Sequence, residues 1–312
     1  MNKVLILLGP TGVGKTGASI LLAEKLDTEI ISADSMQIYR NMDIGTAKPA
    51  KEEMKAVRHH MIDIIPPTES YSVGQYIETV VPVIDRIQGE GRIPVIVGGT
   101  GLYIKAITRG IFSGPSADWA LRDELLSAEQ AEKGYLFAYL QETDPEASEK
   151  IDRNDTRRIV RAIEVCLKSR EKISLLQKRL TKPLSCEFIK IGLTRERGEL
   201  YGIIEKRVDG MIQAGLQEET ENILKMDPDK TPMQAIGYKE IAMYLDEKIT
   251  MEEAVTLVKR NSRRYAKRQF TWFRKEEAIK WIDVTGIHDS MAIFNLIKDV
   301  IAGSYPDIPF RK

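Results

Sequence analysis

The clearest chemistry in the chain lies near its amino terminus. Gly9, Pro10, Thr11, Gly12, Val13, Gly14, Lys15 and Thr16 satisfy the spacing G-x-x-x-x-G-K-[ST]. Glycines at these points let successive backbone N–H groups curl around a phosphate chain. A helix starting at the lysine adds the positive end of its dipole. Lys15 supplies a point charge, and the Thr16 hydroxyl is placed to hold Mg²⁺. The spacing predicts a bound di- or triphosphate. It leaves open which one, and what is done with it.

Asp34 ends the apolar run Ile30-Ile31-Ser32-Ala33, at the edge where open α/β sheets bind ligands. It can hold Mg²⁺ through water or take a proton from an acceptor nucleophile; the bland reading is an Asx turn. The stretch from Ser35 to Pro49 mixes amide, aromatic and basic groups in a long irregular loop, the composition of a binding loop. A second glycine turn, Gly98-Gly99-Thr100-Gly101, brings the Thr100 hydroxyl to the same edge. Arg207 follows Ile203 by four residues and precedes Met211 by four, so it projects from the core-facing side of a helix over Leu200–Met211. A buried charge there needs a partner. It is a clamp on a phosphate, half of a structural ion pair, or a snorkelling stem.

Two segments are basic. Lys259, Arg260, Arg263, Arg264, Lys267, Arg268, Arg274 and Lys275 occur with no acid among them, around a packed stripe expected at Ala254, Val258, Tyr265 and Trp272. Arg157, Arg158 and Arg161 flank the apolar set Ile159, Ala162, Ile163 and Cys166, and are expected to face outward together. Uncompensated positive faces of this kind suit a polyanion.

These groups need a scaffold. Strands over Lys3–Leu8, Glu29–Ala33 and Ile93–Val97 alternate with helices over Lys15–Leu26 and Ser72–Gln88, the latter with a kink expected at Pro82. That alternation predicts a parallel, doubly wound sheet of the P-loop NTPase-like α/β class. After Gly110 the strand pattern stops. Helices are expected over Asp118–Ser127, Glu129–Glu142, Pro145–Ile151 and Thr156–Ser169, and the sheet resumes at Glu187–Leu193. Long helices at Leu200–Met211 and Met251–Lys275, an edge strand at Ile279–Val284 and a helix at Ser290–Ile301 complete the reading. The expected organisation is a first core segment 1–112, a helical insertion 113–185 and a second core segment 186–312.

The 312 residues, with 46 basic and 46 acidic side chains and 43% apolar residues, make an ordinary globular composition. Two cysteines make no disulfide framework and no CxxC metal site, and with only three histidines no zinc centre is expected. No apolar run approaches the roughly 20 residues of a membrane span, so a cytoplasmic protein without membrane attachment is expected.

The segments GPTGVGKT (9–16), ISADSMQIYRNMDIGTAKP (31–49), HHMIDI (59–64), VGGTGLYI (97–104), RRIVRAIEV (157–165), AIGYKE (235–240) and AKRQFTWFR (266–274) together resemble the bacterial tRNA dimethylallyltransferases, also called tRNA isopentenylpyrophosphate transferases. The resemblance implies transfer of a dimethylallyl group from dimethylallyl diphosphate to N6 of the adenine at tRNA position 37, with release of diphosphate. It implies that Gly9–Thr16 cradle the diphosphate with Lys15, that Thr16 places Mg²⁺, that Asp34 is the general base and that Arg207 is tied to the diphosphate. Asp34, Ser35, Met36, Gln37, Thr100, Arg122, Arg157, Arg158, Ile159, Val160, Arg161, Gln234, Ala235, Ile236, Gly237, Tyr238 and Lys239 match positions of tRNA contact. The insertion would be the mobile domain that grips the anticodon stem-loop, in a protein expected to be a monomer. Gly12 stands where the family often has alanine, a difference expected only to loosen the loop.

Three other classes share parts of this pattern. A small-molecule or nucleoside kinase shares the phosphate loop and the strand-end acid but leaves both basic patches unexplained. An adenylate isopentenyltransferase uses the same donor with a free nucleotide and needs no insertion. An RNA-binding ATPase would hydrolyse ATP in response to RNA.

Overall fold

A computed structural model describes residues 2–311. In chain order, β1 (Lys3–Leu8) leads through α1 (Lys15–Lys25), β2 (Ile30–Ala33), α2 (Lys51–Ala56), β3 (His59–His60), α3 (Val73–Gly89) and β4 (Val95–Gly98) to α4 (Gly101–Arg109). Five helices follow: α5 (Trp119–Ala131), α6 (Tyr135–Thr143), α7 (Pro145–Lys150), α8 (Thr156–Ser169) and α9 (Ile173–Leu180). The chain then forms β5 (Glu187–Thr194), α10 (Arg197–Gln213), α11 (Leu216–Leu224), a 3-10 turn (Pro232–Gln234), α12 (Tyr238–Leu245), α13 (Met251–Phe273), β6 (Ile279–Asp283) and α14 (Ser290–Ser304).

Its contacts divide the chain into two compact units, one of Met1–Tyr71, Tyr76–Ile104 and Ser185–Lys312, the other of Ser72–Gln75 and Lys105–Leu184. The first unit holds a six-stranded sheet in the order β3-β2-β4-β1-β5-β6, with every pairing parallel. Parallel strands are covered on both faces, which is why β1 and β2 are near-continuous apolar runs with no alternation. Leu5, Leu7, Val95, Ile189 and Ile191 pack with Ala18 and Leu22 of α1 and with Ile293 and Ile297 of α14. β1 lies between β4 and β5, so the loops after β1, β2 and β4 emerge along one carboxyl edge. β3 escaped the sequence reading because it is two residues long. α3 is one helix through Pro82.

A separate cluster in the same unit packs Ile38, Tyr39 and Met42 against Leu216, Ile223, Tyr238 and Ile241. This buries the root of the long loop after β2 against α11 and α12. The buried side of α13 is Ala254, Val258, Ala266, Gln269 and Phe273, while Tyr265 and Trp272 are half-buried. The expected stripe is therefore rotated, and it includes a glutamine.

The second unit is helical. Leu136, Leu140, Ala162, Ile163, Val165 and Leu176 form its core. Ile159 and Val160 belong to that core as well, 2% and 4% exposed, so their side chains pack inward and are not free for RNA. Glu164 is fully buried and accepts two hydrogen bonds from Arg122, at 2.9 and 2.8 Å, and one from Arg161 at 2.6 Å. Arg122 and Arg161 are thus held by an internal carboxylate, while Arg157 and Arg158 are exposed. The expected outward trio is reduced to this exposed pair because Glu164 lies three residues beyond Arg161, on the neighbouring turn. The break expected near Ser127 lies instead at Gly134. There the backbone turns left-handed, and the Glu129 carboxylate accepts the N–H groups of Gly134 and Leu136 at 2.8 and 3.0 Å.

Candidate active site

β1 ends in the fully buried Leu8, and the chain turns through the glycine loop into α1. Gly12 and Gly14 hold φ of 80° and 107°, conformations that strain residues carrying a Cβ. A Cβ on Gly12 would also lie 3.2 Å from the Ile204 side chain. Glycine at position 12 therefore does more than loosen the loop: this backbone disfavours the alanine common at that position. Gly14 caps α1 without a side-chain hydrogen bond, which leaves the helix-end N–H groups for an anion. The Lys15 ammonium folds back and donates to the carbonyls of Gly9 and Pro10 at 2.9 and 2.8 Å. Burial pushes its pKa down to about 8, with Asp34 pulling it up and Arg207 adding to the fall.

A cavity of about 520 Å³ opens over this loop. Thr11, Gly12, Gly14, Lys15, Thr16 and Arg207 line it, as do Asp34, Ser35, Met36 and Gln37 from the β2 edge. Gln234, Ala235 and Ile236 add a third stretch. Residues scattered over more than two hundred positions of sequence thus share one space. Gly9, Pro10 and Val13 are buried beneath it. Gly237 and Tyr238 are buried just beyond it, and Lys239 is exposed.

Arg207 reaches the cavity from α10, where Leu200, Ile204 and Val208 are buried along the same face. Its Nη1 donates to the Thr11 hydroxyl at 3.0 Å. Its partner is a hydroxyl and not a carboxylate, so of the roles left open the structural ion pair loses support, and the guanidinium faces the cavity over the glycine loop. Burial lowers the guanidinium pKa, and the charge of Asp34 partly offsets that fall.

Asp34 Oδ1 accepts the N–H groups of Met36 at 2.9 Å and Gln37 at 3.4 Å. The Asx turn and the cavity-facing role therefore coexist: one oxygen shapes the turn. The Thr100 hydroxyl accepts the Ser35 N–H at 3.0 Å, which ties the second glycine turn to the same segment. Gln37 is oriented by donation of its Nε2 to the carbonyls of Thr46 and Ala47, at 3.4 and 3.2 Å, while its Oε1 accepts from Ser32 Oγ at 3.1 Å.

Sequence reasoning missed Tyr265 and Gln269, both on the cavity wall. Gln269 is 5% exposed. Its Oε1 accepts the Thr11 N–H at 2.9 Å and its Nε2 donates to the Gly99 carbonyl at 2.9 Å, so it bolts the phosphate loop to the second glycine turn. Tyr265 lies beside it on the same helix, and burial pushes its phenol up to about 12. The signal was available, since a polar residue sits in the core register of an amphipathic helix, as Arg207 does.

The basic face of α13 is smaller than its composition implied. Lys259 pairs with Asp209 at 2.6 Å and Arg263 pairs with Glu205, both acids lying on α10. The pairing runs antiparallel, and its acids lie some fifty residues upstream, out of sight of any local count. Arg260, Arg264, Lys267, Arg268 and Arg274 remain exposed.

The sheet order, the glycine loop after β1 and the acid at the end of β2 define a phosphate-binding enzyme of the P-loop NTPase-like class. Within that class, the chain belongs to the IPP transferase family, whose model matches residues 37–276. A protein of Thermodesulfovibrio yellowstonii named tRNA dimethylallyltransferase is 53% identical over 314 residues, covering 98% of each chain. One of the same name from Acetivibrio thermocellus is 45% identical and covers 97% of this chain and 98% of its own. Among solved structures, the full-length tRNA isopentenylpyrophosphate transferase of Bacillus halodurans matches with a TM-score of 0.72 at 41% identity, covering 99% of this chain and 98% of that one. A eukaryotic dimethylallyltransferase, described as acting on tRNA, matches with a TM-score of 0.81 at 27% identity, covering all of this chain and 81% of its own.

Proposed function

We propose that this protein transfers a dimethylallyl group from dimethylallyl diphosphate to N6 of the adenine at position 37 of tRNA. The observation that carries the reading is the shared cavity. A phosphate cradle, an arginine without a carboxylate partner and a strand-end aspartate open into one space with the apolar side chains of Met36, Val208, Met211 and Ile236. That combination suits a ligand with a diphosphate head and a hydrocarbon tail, facing a nucleobase.

The loop N–H groups, Lys15 and Arg207 bind the diphosphate. Lys15 swings from the Gly9 and Pro10 carbonyls to the phosphates, and the incoming negative charge restores its proton affinity. In the transfer the allylic carbon–oxygen bond breaks, and its electron pair leaves with the diphosphate. The N6 lone pair forms the new carbon–nitrogen bond. Asp34 accepts the proton that the amine loses, because this amine is conjugated into its ring and is a weak nucleophile without a base. Fixed positive groups at the departing oxygen stabilise charge that develops as the bond breaks, and the cavity holds both partners in line.

The residues present fit Mg²⁺ in the manner of phosphate-loop sites. The Thr16 hydroxyl offers a hard oxygen donor beside the phosphate cradle, and substrate phosphates and water would complete such a shell. When bound, the ion neutralises phosphate charge. No cluster of three acidic, histidine or cysteine side chains among the described residues offers a dense protein cage for a metal.

Ser35, Met36, Gln37, Gln234, Ala235, Ile236 and the exposed Lys239 are assigned to the target nucleotide and its neighbours, while the buried Gly237 and Tyr238 support that stretch from within and do not touch RNA. Thr100 supports that segment from behind. Arg157 and Arg158 are assigned to the anticodon stem-loop backbone, with Arg260, Arg264 and Lys267 as a second phosphate-facing patch. The adenine must unstack to enter the cavity, which costs less in a loop than in a duplex. No helix among the described residues is long and apolar enough to cross a membrane. We place the protein in the cytoplasm as a monomer.

The test is a comparison of acceptors and donors. Labelled dimethylallyl diphosphate should mark an unmodified anticodon hairpin and leave AMP unmarked, and γ-labelled ATP should mark neither. Label on AMP alone would move the assignment to a free-nucleotide transferase. Phosphate transfer from ATP would move it to a kinase.

A further inference from the structure

Glu219, on α11, stands behind the cavity-lining loop 45–47 and gathers an unusual set of donors. Its Oε2 accepts the N–H groups of Asp43 at 3.0 Å and Ile44 at 2.9 Å. Its Oε1 accepts those of Ile44 at 3.0 Å and Gly45 at 3.1 Å, together with the Tyr238 hydroxyl. Three consecutive backbone N–H groups thus converge on one carboxylate, with a phenol beside them. The loop is also pressed onto Tyr238. A Cβ on Gly45 would lie 2.4 Å from the Tyr238 ring and 2.9 Å from Leu216, so the loop can approach only with glycine there.

Two segments that carry cavity-lining residues are joined by this carboxylate. Gly45, Thr46 and Ala47 line the cavity directly, and the carbonyls of Thr46 and Ala47 fix the amide of Gln37. Tyr238 follows the lining stretch Gln234, Ala235 and Ile236 and opens α12. None of the phosphate-binding groups is attached to Glu219.

We propose that Glu219 is a positioning residue for the acceptor base, fixing loop 43–47 and the start of α12 so that Gln37 and its neighbours present a preset edge to the RNA. The inference rests on the reading that this side of the cavity receives the target nucleotide. A carboxylate is required because both oxygens act only as acceptors. In Glu219→Gln, either orientation of the amide turns its NH₂ against a backbone N–H, since Asp43 and Ile44 donate to one oxygen and Ile44 and Gly45 to the other.

The experiment measures wild-type protein and Glu219→Gln by steady-state prenyl transfer from dimethylallyl diphosphate to an anticodon hairpin, and by equilibrium binding of hairpin and of donor. Loss of charge-assisted hydrogen bonds at the loop should raise KM and Kd for the hairpin about tenfold or more. KM and Kd for the donor should stay within about twofold, as expected for sites without shared partners. Unchanged hairpin binding would overturn the inference. So would donor and hairpin constants that worsen together, the mark of a merely structural lesion. If Glu219→Gln does not fold, Tyr238→Phe keeps the backbone cradle and removes only the phenol. It should then weaken hairpin binding by about threefold, the value of one modest hydrogen bond, with donor binding unmoved; no change in hairpin binding overturns the inference. If the wild-type protein binds the hairpin and never prenylates it, the assigned reaction falls, and the ratio of hairpin Kd values still decides the role of Glu219.

Discussion

Replacing Arg207 with methionine should make the free protein more stable and the donor site useless, two effects of opposite sign from one side chain. The guanidinium is half-buried on the cavity wall with the Thr11 hydroxyl as its partner, and burial lowers its pKa. A cation taken from water without a carboxylate carries a desolvation cost, and even buried ion pairs replaced by apolar residues of similar volume can leave a protein about 1–4 kcal/mol more stable. Taking about 2 kcal/mol for that relief at a half-buried site, and subtracting about 1 kcal/mol for the lost bond to Thr11, leaves a gain of about 1 kcal/mol. In a unit of this size that raises Tm by roughly 2–4 °C. Against this, two charge-assisted hydrogen bonds to a diphosphate are lost, a change of roughly 10²–10³-fold in donor affinity. Thermal melts with and without dimethylallyl diphosphate and Mg²⁺, alongside calorimetric titration of the donor, read both effects. The wild-type protein should melt lower alone and gain strongly from the donor; Arg207→Met should melt higher alone and gain almost nothing. A variant that binds donor equally well refutes the clamp, and one less stable than wild type refutes the desolvation cost assigned to the free guanidinium.

Other outcomes follow from the same geometry. Asp34→Asn keeps an Oδ1 to accept from Met36 and Gln37, so the turn survives; single-turnover transfer should fall by roughly 10²–10⁴-fold with hairpin Kd little changed, and unaltered chemistry would remove Asp34 as the base. Arg157→Glu with Arg158→Glu should weaken hairpin binding and lower the slope of its salt dependence by about 2, with the melt unaffected; an unchanged slope would dismiss that patch. Hydrogen bonding from Arg86 first, then from His60 and Arg92, holds the nearly buried Glu29 well below the usual carboxylate range. A depressed folded pKa means that this stabilisation is present above roughly pH 4.5 and is lost as the pH falls from there toward the folded value. Glu29→Gln should therefore cost about 3 kcal/mol near neutrality and flatten the fall of Tm in acid; a Tm–pH curve parallel to wild type would show that Glu29 contributes nothing to acid sensitivity.

What could be read from the chain was what local spacing controls. The glycine loop, the acid ending β2 and the core-facing register of Arg207 are each set within a few residues, and the structure gathers all three around one cavity. What could not be read was made by packing between distant segments. Glu219 meets residues 43–45 only because α11 folds against the loop after β2. Asp209 and Glu205 neutralise Lys259 and Arg263 because α10 and α13 lie antiparallel. The resemblance carried whole stretches as RNA contacts, but a helix such as α8 divides them by face: Arg157 and Arg158 are exposed while Ile159 and Val160 are core. Gly134 displaced a helix boundary because the chain there needed a left-handed turn and Glu129 supplied its cap.

The most direct test is mass analysis of an unmodified anticodon hairpin after incubation with the protein, Mg²⁺ and dimethylallyl diphosphate, with released diphosphate counted in the same tube. The account predicts a single five-carbon unit on N6 of the adenine immediately 3′ of the anticodon, and one diphosphate released for each unit attached. Hairpin left unmodified while nucleoside triphosphate is consumed would contradict it.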